Sequence, residues 1–346
     1  MEKEHGASMK NAIFRLLAAA LSMTLLVGCA KLGGPELINV SYDPTREFYE
    51  AYNALFVEHW EEETGKHLQV IQSHGGSGAQ ALAVSQGLPA DVVTLALESD
   101  VQELENQGLL DAGWIDEFPN DSAPYTSTIV FLVRRGNPKN IQDWGDLAAD
   151  GVGVITPNPK TSGGARWNFL AAWAWAQQQF PEDENRVRAY IYALFRNVLV
   201  LDSGARSATT SFVENHQGDV LITWENEGYF AMEEYPGEYE LICPSVSILC
   251  QPTVAVVDEV TRVNGTKRLA TAYLDFLYSE EAQHLAADYY YRPTDPAILA
   301  QYTDRFDLDV ELLTIDDFGG WEAAQEKFFA DGAEFDMIYE NMEIVD

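Results

Sequence analysis

Two α/β lobes joined by two extended crossings are predicted by three features of the sequence. Apolar β-type runs alternate with stretches of helical periodicity along most of the chain, the pattern of largely parallel sheets with helices packed on them. Two longer β-rich stretches, at residues 123–138 and 247–257, interrupt the alternation and read as the chain crossing between lobes and returning. The length of 346 residues fits about two domains, and a content of 47% hydrophobic and 12% aromatic residues supplies core for both.

The elements follow in order. Residues 37–42 read as the first strand. Arg46–Thr64 carries apolar side chains at 48, 49, 52, 55, 56 and 60, one face of a helix, and Gly65 stands where a C-cap is needed. A strand at 68–72, a helix at 78–86 and a strand at 91–95 come next. The stretch APYTSTIVFLVRRGNP is β-rich and ends in a Gly-Asn-Pro turn. A second set of βα units covers 152–241, and after the return crossing a helix at 267–278 opens a mostly helical C-terminal third. The economical division places 37–122 and 252–346 in lobe 1, and 123–251, crossings included, in lobe 2. No repeat or low-complexity tract is present.

Against 21 Lys+Arg stand 55 Asp+Glu, a net charge of −34. That balance excludes a nucleic-acid binder, which needs a basic footprint for phosphates. The three Cys are too few for a disulfide scaffold, and the six His and three Cys lack zinc-site spacing, so neither a structural metal nor a cofactor is expected. The acidic residues are dispersed and lysine is scarcer than arginine, as on a surface adapted to high salt, where screening relieves self-repulsion. The alternative is a solvated acidic surface with no bearing on habitat.

The N-terminus reads as an address. The apolar run NAIFRLLAAALSMTLLV behind Lys10 has the length of a signal-peptide core and is short for a membrane span. It ends in Leu26-Val27-Gly28-Cys29, which resembles a bacterial lipoprotein signal. Residues 1–28 are then a cleaved signal peptide, Cys29 the lipidated first residue, and 29–36 a linker. An ordinary signal with an incidental Cys is the alternative. Either way the chain is exported, to the periplasm or the outer face of the cell membrane, and removing 1–28 leaves the acidity intact.

Four strand-to-helix junctions share one composition: Ser41-Tyr42-Asp43-Pro44-Thr45, Ser73-His74-Gly75-Gly76-Ser77-Gly78, Lys160-Thr161-Ser162-Gly163-Gly164-Ala165 and Asp202-Ser203-Gly204-Ala205-Arg206. Each would open a helix, where unpaired backbone N–H groups and the positive end of the dipole favour an anion, and glycine permits close approach. Such junctions sit at the carboxyl ends of strands, where α/β sheets bind ligands. For a single loop ordinary N-capping explains the residues; four loops shared by two lobes point to an anion cleft. Two enzymatic readings use the same residues. Gly76-Ser77-Gly78-Ala79-Gln80-Ala81 fits a dinucleotide fingerprint, with Glu98 and Asp100 about 20 residues on, but it lies on the second junction rather than the first. A serine hydrolase would use Ser77 as nucleophile beside His74, yet no G-x-S-x-G elbow exists in the chain.

The segments NVSYDPTREFYEAYN, QSHGGSGAQA, DVVTLAL, APYTSTIVFLVRRGNP, ITPNPKTSGGARWNFLAAW, LDSGAR, WENE, YYRP and FGGW, in this order from about residue 37 to 339, closely resemble the bacterial sulfate-binding proteins of ABC importers. That family also includes thiosulfate binders. The resemblance implies a two-lobed periplasmic-binding-protein fold of type II, α/β in both domains, that closes on its ligand about two hinge crossings. It implies a monomer that hands sulfate to a membrane permease and catalyses no reaction. It further implies that sulfate is held by uncharged donors: the backbone N–H groups of Asp43, Ser162, Gly163, Gly164 and Ala205, the Ser77 hydroxyl and the Trp224 indole N–H. Arg206, His74 and Lys160 would support the loops without a salt bridge to the anion. One departure is the pair Cys243 and Cys250, which in an oxidising compartment would close a small loop at the return crossing. If the stretch between them is extended, they stand too far apart to bridge.

Overall fold

The computed structural model of the protein describes residues 34–343, with side chains through 340; the expected signal peptide and Cys29 lie outside the described residues. The chain opens with β1 (Glu36–Tyr42), α1 (Arg46–Thr64), β2 (Gln69–Gly75), α2 (Ser77–Ser85), β3 (Val92–Leu95) and α3 (Glu98–Asn106). After the first crossing come β4 (Ile129–Arg134), β5 (Val154–Pro157), α4 (Gly163–Gln179), α5 (Glu184–Arg196), β6 (Val198–Asp202), α6 (Ala205–Val213), β7 (Val220–Trp224), α7 (Glu225–Glu234) and β8 (Tyr239–Ile242). The return brings β9 (Val246–Ile248), β10 (Thr253–Val256), α8 (Lys267–Phe276), β11 (Glu311–Leu313) and α9 (Glu334–Glu343), with shorter helices between.

Two sheets result. In the first the order is β10-β3-β1-β2, with β1 parallel to both neighbours and β10 antiparallel to β3. In the second the order is β6-β5-β7-β4-β8, with β4 antiparallel to β7 and β8. Helix α1 has the predicted ends, and Gly65 closes it at φ 67°, donating its N–H to Glu61 O at 2.8 Å. Its buried face, Phe48, Tyr49, Tyr52, Phe56 and Trp60, packs on Tyr273, Leu274 and Phe276 of α8. At about 1.5–3 kcal/mol per fully buried large side chain, that seam is a principal stabiliser of the first lobe. Strand β2 runs to Gly75, so Ser73 and His74, expected in the loop, pair with β1 instead.

The crossings pair with each other: Ser127 N donates to Cys250 O (3.0 Å) and Cys250 N to Ser127 O (2.9 Å). Both Cys243 and Cys250 are free thiols.

The C-terminal stretch departs from the expected division, which put all of 252–346 in lobe 1. Strand β11 pairs in parallel with β9, and Ile315, Trp321, Phe328, Phe329 and Phe335 share a core cluster with Trp167, Phe169, Trp173 and Phe195 of lobe 2. The physical reason is α4, whose Trp167, Phe169, Leu170, Trp173 and Ala176 are buried around nearly its whole circumference. A helix apolar on all sides needs cover beyond its own sheet, and the C-terminal segment provides it. Lys160 fastens the segment through Asp331 (3.1 Å) and Asp336 (2.9 Å). Among the described residues no helix is long and apolar enough to cross a membrane.

Candidate functional site

The four Gly/Ser junctions meet where the carboxyl ends of the two sheets face each other. Each opens a helix: the short 3-10 turn Asp43–Thr45 leading into α1, then α2, α4 and α6. First-turn N–H groups have no acceptor within a helix, so four sets of donors converge. The glycines measure the closeness of the approach. A Cβ on Gly163 would stand 3.0 Å from Ser77 Cβ and 3.2 Å from Ala96 Cβ, and one on Gly76 would stand 3.2 Å from Thr161 O. One on Gly204 would reach Asp43 Oδ2 at 4.0 Å. The junction after β2 thus faces the one after β5, and the junction after β1 faces the one after β6.

Trp224, the last residue of β7, is buried beneath this meeting point, its ring 5.6 Å from that of Tyr42. Its indole N–H has one long contact, 3.4 Å to Gly164 O, too weak to satisfy a buried donor fully. Ser162 caps α4, its hydroxyl accepting from Ala165 N at 3.3 Å. One expectation is corrected here: the Ser162 backbone N–H is spent on Asn158 O at 2.9 Å. The local turn before α4 has thus consumed the N–H that was expected to face the ligand.

The cations near the site are neutralised by carboxylates. Arg206 makes two bonds to Glu47 (2.9 and 3.0 Å) and lies 3.3 Å from the buried Glu227. The first of these crosses between the lobes. Asp43 Oδ1 accepts from Arg46 at 3.2 Å. His74 places Nε2 2.9 Å from Gln72 Oε1 and Nδ1 3.4 Å from Tyr42 O, and burial lowers its pKa, which favours a neutral ring.

Ser77 has partners that spacing did not reveal. Its Oγ lies 2.5 Å from Asp100 Oδ2 and accepts the Ala96 N–H at 3.1 Å. His74 and Ser77 do not pair as the hydrolase reading requires, since the His74 nitrogens face Gln72 Oε1 and Tyr42 O. Of the two acids the fingerprint reading offers, Glu98 and Asp100, Asp100 is turned onto Ser77. Sequence reasoning also missed the contacts that hold the lobes together. Across the lobes Trp167 Nε1 donates to Ala96 O (3.0 Å) and Asn226 Nδ2 to Tyr291 OH (3.1 Å), and Tyr291 OH in turn donates to Pro44 O (2.9 Å) within its own lobe. Arg292 forms a two-pronged pair with Glu225 at 2.7 and 2.9 Å, with only 4% and 2% of the side chains exposed. No local pattern marks such residues, because each partner is distant in sequence.

Comparison with known proteins agrees with this geometry. Residues 45–292 match the family described as bacterial extracellular solute-binding protein. The sulfate-binding protein of Escherichia coli K12 is 54% identical over 305 residues, covering 88% of this chain and 92% of its own. The thiosulfate-binding protein of Pseudomonas aeruginosa is 45% identical over 325 residues, covering 93% and 97%. Among solved structures, the sulfate-binding protein SubI from Mycobacterium tuberculosis H37Rv superposes with a TM-score of 0.76 at 34% identity, covering 85% of this chain and 99% of its own. With two lobes, paired crossings and a family match over most of its length, the chain belongs to the bacterial extracellular solute-binding proteins.

Proposed function

We propose that the chain captures sulfate between its lobes and delivers it to the membrane permease of an ABC importer, with no chemistry of its own. The observation that carries this reading is the convergence of four helix-opening junctions on one point, near which Arg206, Lys160 and Arg46 are each paired with carboxylates. Sulfate, fully ionised near neutral pH, needs only donors. Those proposed are the N–H groups of Asp43, Gly163, Gly164 and Ala205, the hydroxyls of Ser77 and Ser162, and the Trp224 indole N–H. Arg206 and His74 hold the loops. Phosphate keeps a proton that wants an acceptor, and in a site built of donors that O–H stays unpaired at a cost. At close range, local dipoles outweigh a diffuse negative surface, which salt screens beyond about 8 Å. The relatives named for sulfate support this ligand. Thiosulfate is the second reading, favoured by the relative from P. aeruginosa. Export followed by anchoring through Cys29 belongs to the same proposal, with the protein acting as a monomer.

The test is calorimetric titration of residues 30–346, prepared free of sulfate, with sulfate, thiosulfate, phosphate and molybdate. One-to-one binding of sulfate with phosphate silent is expected. Silence toward sulfate and thiosulfate alike would overturn the reading. For the anchor, mass spectrometry of the full-length precursor expressed in bacteria should find a lipid on Cys29, and an unmodified N-terminus would refute it.

A further inference from the structure

Away from the interlobe cleft, a groove of about 520 Å³ opens within lobe 1 where the end of α1 meets the start of α8, and Pro35, Trp60, Glu63, Lys66, Thr266 and Arg268 are among the residues that line it. Lys66 and Arg268 are exposed, and among the described residues neither has an ion-pair partner. In a chain with 55 acidic residues to 21 basic ones, that sets them apart. Lys267, the neighbour of Arg268, holds two carboxylates, Asp258 at 2.5 Å and Glu117 at 3.2 Å. Helix α8 also opens against its own dipole. Its first two residues are Lys267 and Arg268, its first turn carries no acid, and its N-cap Thr266 makes no capping bond, the hydroxyl donating instead to Asp91 Oδ1 at 2.5 Å. Cations at the positive end of a helix are unfavourable unless an anion joins them. The first helical bond runs from Ala270 N–H to Thr266 O at 2.9 Å, so the N–H groups of residues 267–269 have no acceptor within the helix. The wall of the groove holds one more unspent donor. Trp60 is only 7% exposed, yet its indole N–H finds no acceptor in the protein, a rare state for a buried polar group.

We propose that this groove is a second anion site, which takes a phosphate ester on Lys66, Arg268 and the opening turn of α8, with Trp60 in its wall. Two free cations match the charge of a phosphate monoester, about −1.5 to −2 near neutral pH. The groove is much larger than a bare oxyanion, which leaves room for the esterified group. Glu63, the carboxylate on the lining, is 62% exposed and lies 3.7 Å from His59 Nε2, so water and salt screen its repulsion. The ester has two sources, a free phosphate ester or the head group of a membrane lipid. Pro35 stands six residues beyond Cys29, a stretch of about 20 Å when extended, so the anchor proposed above would keep the groove beside the membrane. The site itself depends neither on that anchor nor on the sulfate reading.

The experiment is an NMR titration of residues 30–346, isotope-labelled at tryptophan, with glycerol phosphate; the indole N–H signal of Trp60 is assigned by its loss in Trp60→Phe. That signal should shift to saturation, and equally so with one equivalent of sulfate present, because the groove lies within a single lobe. The double variant Lys66→Gln, Arg268→Gln removes two exposed side chains that bridge to nothing, so it should fold as wild type and bind about tenfold more weakly or worse. Arg196→Gln, which removes an exposed cation of α5 in the other lobe, should bind as wild type. A Trp60 signal that stays still, or a double variant that titrates like wild type, would overturn the proposal while leaving sulfate binding in the cleft standing. Co-sedimentation with vesicles containing phosphatidic acid separates the two sources. Retention of the wild type but not of the double variant assigns a lipid head group, and binding of the soluble ester alone assigns a free one.

Discussion

Gly163 is the residue at which closure of the two lobes is most sharply testable. It opens α4 on one side of the cleft, and the three atoms nearest its missing Cβ belong to the other side: Leu97 Cγ and Ser77 Cβ at 3.0 Å, Ala96 Cβ at 3.2 Å. Leu97 has rotamer freedom to withdraw, but Ala96 and Ser77 present Cβ atoms fixed to backbone. In Gly163→Ala the lobes must therefore part by a few tenths of an ångström, stretching the donors that converge on the anion. Overpacking of this kind costs about 1–3 kcal/mol. Charged to the closed state alone, and at 1.4 kcal/mol per decade, it weakens sulfate binding about 5- to 150-fold. The φ of Gly163 lies outside the left-handed region, so alanine introduces no backbone strain and each lobe should fold as before. The assay pairs calorimetric titration of sulfate with thermal unfolding of the ligand-free chain. Weaker binding with an unchanged melting temperature is expected. Wild-type affinity would refute the reasoning, and so would a loss of ligand-free stability large enough to account for the binding defect.

Arg292→Met should strand the buried Glu225 carboxylate and lower unfolding stability by about 3–5 kcal/mol, as breaking one side of a buried ion pair does; denaturant titration measures it, and a loss under about 1 kcal/mol would put the pair in the class of surface contacts. Thiol reactivity follows from burial, which raises the Cys243 pKa to about 12 and that of Cys250 well above the ordinary value. Because the thiolate is the reactive form, an aromatic disulfide reagent at pH 8 should label residues 30–346 slowly when folded and at two sites in urea, and prompt labelling of the folded chain would contradict the burial. The acidic surface predicts a higher urea midpoint in molar NaCl than at low salt, and equal midpoints would reject adaptation to high salt.

Much of the fold is legible in local sequence because its cause is local. Helix α1 announces both ends through apolar spacing and Gly65, and the four Gly/Ser junctions each open a helix as their composition requires. The C-terminal segment was not legible. Nothing in Ile315, Trp321 or Phe335 says which lobe they will cover, since that depends on how much of α4 its own sheet leaves bare. The Ser162 N–H is taken up by a local turn through Asn158, which the Ser-Gly-Gly motif alone does not announce. Asp100 stood in view as an acid about 20 residues beyond a fingerprint, yet its actual partner became visible only when α2 and α3 were laid side by side.

By itself the sequence determined two α/β lobes, the class of atoms offered to a ligand, and the four places on the chain that offer them. Helix starts and glycines act over a few residues, so their chemistry is written in short segments. Only the tertiary structure decided which junction faces which, that Arg206 and Lys160 spend their charge on carboxylates, and that Ser77 answers to Asp100. Those outcomes depend on residues tens to hundreds of positions apart arriving within about 3 Å of one another, and that distance is set by the packing of whole lobes, which no short segment encodes.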